Sequence, residues 1–69
     1  MARFIIMKST RALPRWVANE NNAYGNPATC ERAGVTPGLV YATFEEADED
    51  LQKLNSLPGV GFVIVELLG

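Results

Sequence analysis

The chain has 69 residues, 48% of them hydrophobic, and a net charge of −2. This length predicts a single domain spanning residues 1–69, and the apolar content excludes a disordered chain. A core this small stabilises a monomer only marginally, so self-association is expected. The single cysteine, Cys30, excludes an intramolecular disulfide and favours a reducing cytoplasm.

The first half of the chain predicts one clear strand and a long irregular stretch. Residues 4–7 form an apolar run with both faces hydrophobic, which is typical of a strand that is central or covered by another subunit. Residues 14–18 are interpreted as an edge strand, because proline is tolerated where a strand starts. The asparagine-rich residues 19–26 indicate a loop.

A short helix follows over residues 27–33. Asn26 is suited to cap its amino terminus, and Pro27 favours the first helical position. Gly34 is placed to end this helix in a left-handed conformation.

The second half predicts a strand at residues 39–42, then the main helix. Thr43 and Glu46 form a capping box, in which the threonine oxygen accepts the Glu46 N–H and the Glu46 carboxylate accepts the N–H of Thr43. Apolar residues recur along one helical face: Phe44, Ala47, Leu51 and Leu54.

The chain ends in a turn and a further strand. Pro58 and Gly59 are placed as a type II turn requires, and residues 61–67 are again apolar on both faces. These elements predict an α+β fold of order β-(β)-α-β-α-β, in which a three- to four-stranded sheet carries one main helix on one face. The first and last strands are expected to lie side by side in its centre.

The residue types exclude most catalytic chemistry. Histidine is absent, one cysteine cannot build a thiolate metal site, and no glycine-rich phosphate loop precedes a helix. We therefore expect no enzyme activity, cofactor or metal. The apolar runs are too short for a signal peptide or a membrane span, so we expect a cytoplasmic protein without membrane contact.

Charge is distributed unevenly along the chain. Residues 1–19 carry four basic residues and no acid, whereas residues 43–69 carry six acids and one lysine. Arg11, Arg15 and Trp16 are candidate contacts, either for a protein or for the phosphates and bases of a nucleic acid. The acidic balance of the whole chain argues against nucleic acid, and packing of Trp16 against the sheet is the alternative to a contact role.

Two further groups are candidate partner-binding residues. Asn22 and Tyr24 lie in the asparagine-rich loop, a composition typical of binding loops as well as of plain connections. Glu45 and Glu49 lie on the acidic face of the main helix, which suits a basic partner or simply faces solvent. Cys30 is either a small semi-buried residue or a reactive thiol near a helix start.

Residues 40–67 resemble a pattern of small bacteriophage and prophage proteins. In that pattern a strand leads into a Thr- or Ser-capped helix beginning with Glu-Glu-Ala, here Glu45, Glu46 and Ala47, and a hydrophobic strand follows. The resemblance implies an accessory protein of a mobile element that binds and inhibits one host protein, including defence complexes. It assigns no functional residue.

Three hypotheses follow from the sequence. The leading one is a non-enzymatic protein that modulates or inhibits a larger host protein by direct contact, in the host cytoplasm. The second is a self-assembling structural protein, such as a homodimer, whose doubly apolar strands pair between subunits. The third is nucleic-acid binding through the basic amino-terminal segment.

Overall fold

The computed structural model describes residues 2–68, which form a small α+β fold. Along the chain, strand β1 (Arg3–Lys8) is followed by helix α1 (Pro27–Ala33) and helix α2 (Phe44–Asn55). Strand β2 (Phe62–Leu67) comes last. Single 3-10 turns lie at Ser9–Arg11 and Glu20–Asn22. The predicted α+β class is confirmed, but the described part of the chain holds a two-stranded sheet and not three or four strands.

The first and last strands pair antiparallel, as neighbours. The register places Ile5 opposite Val65 and Ile6 opposite Ile64. The predicted adjacency of these strands is thus confirmed. β1 also contacts the chain at its second edge, where the backbone of Phe4 exchanges two hydrogen bonds with Tyr41, at 2.9 and 2.8 Å.

Of the predicted strand at residues 39–42, only the pairing of Tyr41 with Phe4 is formed. The next antiparallel pair would join Leu39 to Ile6, but the Ile6 carbonyl accepts the N–H of Tyr24 at 2.7 Å. Tyr24 in turn accepts the N–H of Gly38, so it lies between β1 and the incoming segment. On the other side of Tyr41 the ladder cannot extend, because Thr43 already caps α2.

The predicted edge strand at residues 14–18 is wrong, because these residues form one helical turn. The carbonyl of Pro14 accepts the N–H groups of Val17 and Ala18, at 2.9 and 3.0 Å. Proline is tolerated at this position, because the residue that opens a helical turn contributes its C=O, and the N–H that proline lacks has no partner in the turn.

Helix α1 begins and ends, and helix α2 begins, where the capping residues predict. Asn26 accepts the N–H of Thr29, and Gly34 ends α1 at φ 78°. At α2, the Thr43 hydroxyl oxygen accepts the N–H of Glu46 at 3.2 Å. The returning bond differs from the prediction, because the Glu46 carboxylate accepts the Thr43 hydroxyl and not its N–H.

The core has two layers, one on each face of the sheet. On one face α2 buries Ala47 and Leu54 against Ile6 and Phe62. On the other face Ile5 and Met7 are buried with Leu67 under the irregular segment and the 39–42 region. The chain therefore covers the second face of β1 by itself, without another subunit.

Neither helix of the described residues is long and apolar enough to cross a membrane. The loop between α2 and β2 holds Gly59 at φ 80°, as expected for the third residue of a type II turn.

Candidate functional site

Three apolar side chains are exposed within five consecutive residues. Residues 13–17, here called the tryptophan turn, contain Trp16 at 75% exposure, Val17 at 53% and Leu13 at 36%. The alternative that Trp16 packs against the sheet is therefore wrong. Large exposed apolar groups cluster at contact surfaces more often than on inert ones.

The carboxyl-terminal end of this turn is anchored on the sheet by the alanine that follows it. Ala18 follows the tryptophan turn directly and packs against the cluster of Ile5, Met7 and Leu67. The double hydrogen bond to the Pro14 carbonyl fixes the backbone in between. The bulky side chains thus point away from a turn whose backbone is anchored on the sheet.

Three basic residues occur within the turn or shortly before it in the chain. Arg11, Arg15 and Lys8 are exposed, and none of them forms an ion pair with residues 2–68. Arg3, by contrast, pairs with Glu20 at 3.0 Å. These three cations are therefore available to an external partner.

Asn22 and Tyr24 lie close to Arg11, and all three line one surface hollow together with Lys8. The Asn22 side-chain oxygen and the Tyr24 ring already make contacts within the fold. The Asn22 side chain accepts the N–H of Asn19 at 2.8 Å, and the Tyr24 ring packs edge-on against Phe62 at 4.7 Å between centroids. Both residues shape the hollow, while Lys8 and Arg11 supply its charge.

Glu45 and Glu49 do not join this group. Both are exposed on α2, which covers the opposite face of the sheet from the one that holds Ala18. Glu45 and Glu49 therefore lie on the helix side of the sheet, whereas the tryptophan turn is anchored on the other side.

Sequence reasoning missed Leu13 and Val17 as exposed neighbours of Trp16. Reading residues 14–18 as a strand predicts alternating burial and hides this patch. The available signal was Pro14, because a missing N–H is tolerated at the start of a helical turn as well as at the start of a strand.

The buried titratable groups are held in their neutral forms. Burial, with a smaller effect from Asp50, raises the pKa of the Cys30 thiol. Burial also raises the pKa of Tyr41, whose hydroxyl donates a hydrogen bond to Asp50 at 2.5 Å. A buried thiol with a raised pKa is a poor nucleophile, so the reactive interpretation of Cys30 is disfavoured.

Among residues 2–68 no group of three or more potential ligands is arranged to hold a metal ion. No protein-family model matches the chain, and neither a curated protein nor a solved structure does.

Proposed function

We propose that this protein is a non-enzymatic binding protein that contacts a larger protein through the tryptophan turn. The observation that carries the proposal is the exposure of Trp16 on an anchored backbone turn. Tryptophan dominates binding energies at interfaces, because its large ring loses much apolar surface to water when it enters a pocket.

The surrounding charges define the chemistry of the partner. Lys8 and Arg11 line the hollow, and Arg15 lies within the turn beside Trp16. A complementary surface offers an apolar pocket for the ring and carboxylates for the cations. The resemblance to small phage proteins supports the narrower proposal that this partner is a host protein and that binding inhibits it.

Nucleic-acid binding is a second candidate, favoured by the same three exposed cations and by the exposed indole ring. Bases stack on such rings, and arginines contact phosphates. The net charge of −2 opposes it. The two candidates differ in salt dependence, since affinity for nucleic acid falls steeply as salt rises.

Affinity capture from bacterial lysate, with and without nuclease treatment and read by mass spectrometry, tests the proposal. The comparison uses the natural chain, Trp16→Ala, and Phe44→Ala as a matched control. Phe44 is also a half-exposed aromatic residue, but it lies on α2, on the other side of the sheet.

We expect one protein to be captured in stoichiometric amount by the natural chain and by Phe44→Ala, and lost with Trp16→Ala. Capture that is unaffected by Trp16→Ala contradicts the proposal. Capture that disappears with nuclease treatment supports nucleic acid instead.

A further inference from the structure

The edge of β2 that faces away from β1, here called the outer edge, has unpaired backbone groups. Which residues of β2 point to this edge can be worked out from the hydrogen bonds of β1. In an antiparallel sheet, the N–H and C=O of one residue point to the same side, and consecutive residues alternate. Phe4 bonds to Tyr41 and so points away from β2. Hence Ile5 points toward β2, and its partner Val65 points back toward β1.

Alternation along β2 then turns Phe62, Ile64 and Glu66 to the outer edge. An independent contact agrees with this assignment at Phe62. The Asn55 side chain accepts the Phe62 N–H at 2.8 Å and donates to its carbonyl at 3.4 Å, as a neighbouring strand would. Asn55 therefore closes the outer edge at one position.

Two residues of this edge remain open. Ile64 and Glu66 have no backbone hydrogen-bond partner on this side within residues 2–68. Helix α2 does not cover them, because it begins near Phe4, where Phe44 contacts the Phe4 ring, and reaches the outer edge only at Asn55. Four backbone groups are thus available for a further strand.

We infer that this edge pairs antiparallel with the same edge of a second copy, through a two-fold axis at Val65. In this register Ile64 of each copy lies opposite Glu66 of the other. All four open groups on each chain then pair, which gives four hydrogen bonds in total. A two-stranded sheet, marginal by itself, becomes a four-stranded one.

Neighbouring registers are poorer. An axis at Ile64 forms two hydrogen bonds and places Glu66 opposite Phe62, whose groups Asn55 already holds. An axis at Glu66 places two carboxylates directly opposite each other, which is destabilising. The axis at Val65 avoids both problems and sets Val63, 36% exposed, beside Leu67 of the second copy.

This inference is independent of the proposed function, since it does not involve Trp16. Amide hydrogen exchange by NMR on the natural chain tests it, at about 10 µM and about 1 mM. We expect the Ile64 and Glu66 amides to become at least tenfold more protected at the higher concentration. The amides of Val63 and Val65, which bond to β1, are expected to be protected at both.

Sedimentation equilibrium with two variants adds a matched comparison. Glu66→Pro removes an outward N–H without touching the bonds to β1, and proline is tolerated at an edge in that orientation. Glu66→Ala removes the side chain and keeps the N–H. We expect dimers for the natural chain and Glu66→Ala, and a folded monomer for Glu66→Pro.

A natural chain that stays monomeric at 1 mM, with exchange at Ile64 and Glu66 independent of concentration, overturns the inference. Dimers that persist in a folded Glu66→Pro overturn it as well. If that variant fails to fold, the exchange experiment on the natural chain decides alone.

Discussion

The Asn55 side chain substitutes for a strand at the outer edge of β2, and its removal has a calculable cost. Asn55→Ala deletes two hydrogen bonds to the backbone of Phe62, a residue that is 4% exposed. A short hydrogen bond contributes about 0.5–1.5 kcal/mol net, whereas a buried donor left without a partner costs about 1–3 kcal/mol. The 3.4 Å bond contributes little, so we expect a loss of about 2 kcal/mol.

Urea unfolding followed by circular dichroism measures this loss, at low micromolar protein so that self-association does not contribute. For a domain of this size, about 2 kcal/mol corresponds to a decrease in Tm of roughly 8–16 °C. The control is Gln52→Ala on the same helix, which deletes an exposed bond to Asp48 and should change stability by less than about 0.5 kcal/mol. Equal effects of the two variants would refute the reasoning.

Three other predictions concern the backbone and the buried titratable groups. Gly34→Ala should cost about 1–2 kcal/mol in urea unfolding, because Gly34 has φ 78°, whereas Gly25→Ala should be tolerated, since its added Cβ meets no atom closer than 3.7 Å. Cys30 should react with a thiol reagent far more slowly in the native chain than in urea, because it is 1% exposed and its pKa is raised; equal rates contradict this. Because burial raises the pKa of Tyr41 above its unfolded value, the stability it contributes is intact below about pH 10 and falls as pH rises further. Unfolding curves of Tyr41→Phe should therefore fall less steeply with pH than those of the natural chain, and parallel curves contradict this.

Short sequence patterns correctly predicted the elements that depend on neighbouring residues, such as helix caps and apolar runs. The start of α2 follows from Thr43 and Glu46, and the end of α1 follows from Gly34. The burial of both faces of β1 was also readable, because residues 4–7 are all apolar. The pattern did not show which residues cover the second face of β1. In the structure, Ala18, Ala23 and Val40 pack against it.

Competition between distant segments decided the elements that sequence reasoning missed. Residues 39–42 have a strand-like composition, yet Tyr24 occupies the position on β1 that Leu39 would need. Such competition depends on where a loop lies in space, which neither propensity nor periodicity encodes.

The candidate site shows the same limit. Residue types indicated Arg11, Arg15 and Trp16 as contacts, and the structure exposes all three. Glu45 and Glu49 lie on α2, which packs on the opposite face of the sheet from Ala18. This separation could be recognised only once the topology was known. For Tyr24, packing on Phe62 explains the aromatic residue without a partner.

The central claim is that Trp16 contacts a partner protein, and it is tested most directly by a signal from Trp16. This residue is the only tryptophan in the chain, so a tryptophan label reports on it alone. Biosynthetic 5-fluorotryptophan at this position gives one 19F resonance, whose shift between H2O and D2O reports contact with solvent. We predict a full solvent shift in the free chain and its loss on addition of the captured, unlabelled partner. A solvent shift that persists in the complex, or is already absent in the free chain, would contradict the tryptophan turn as the contact surface.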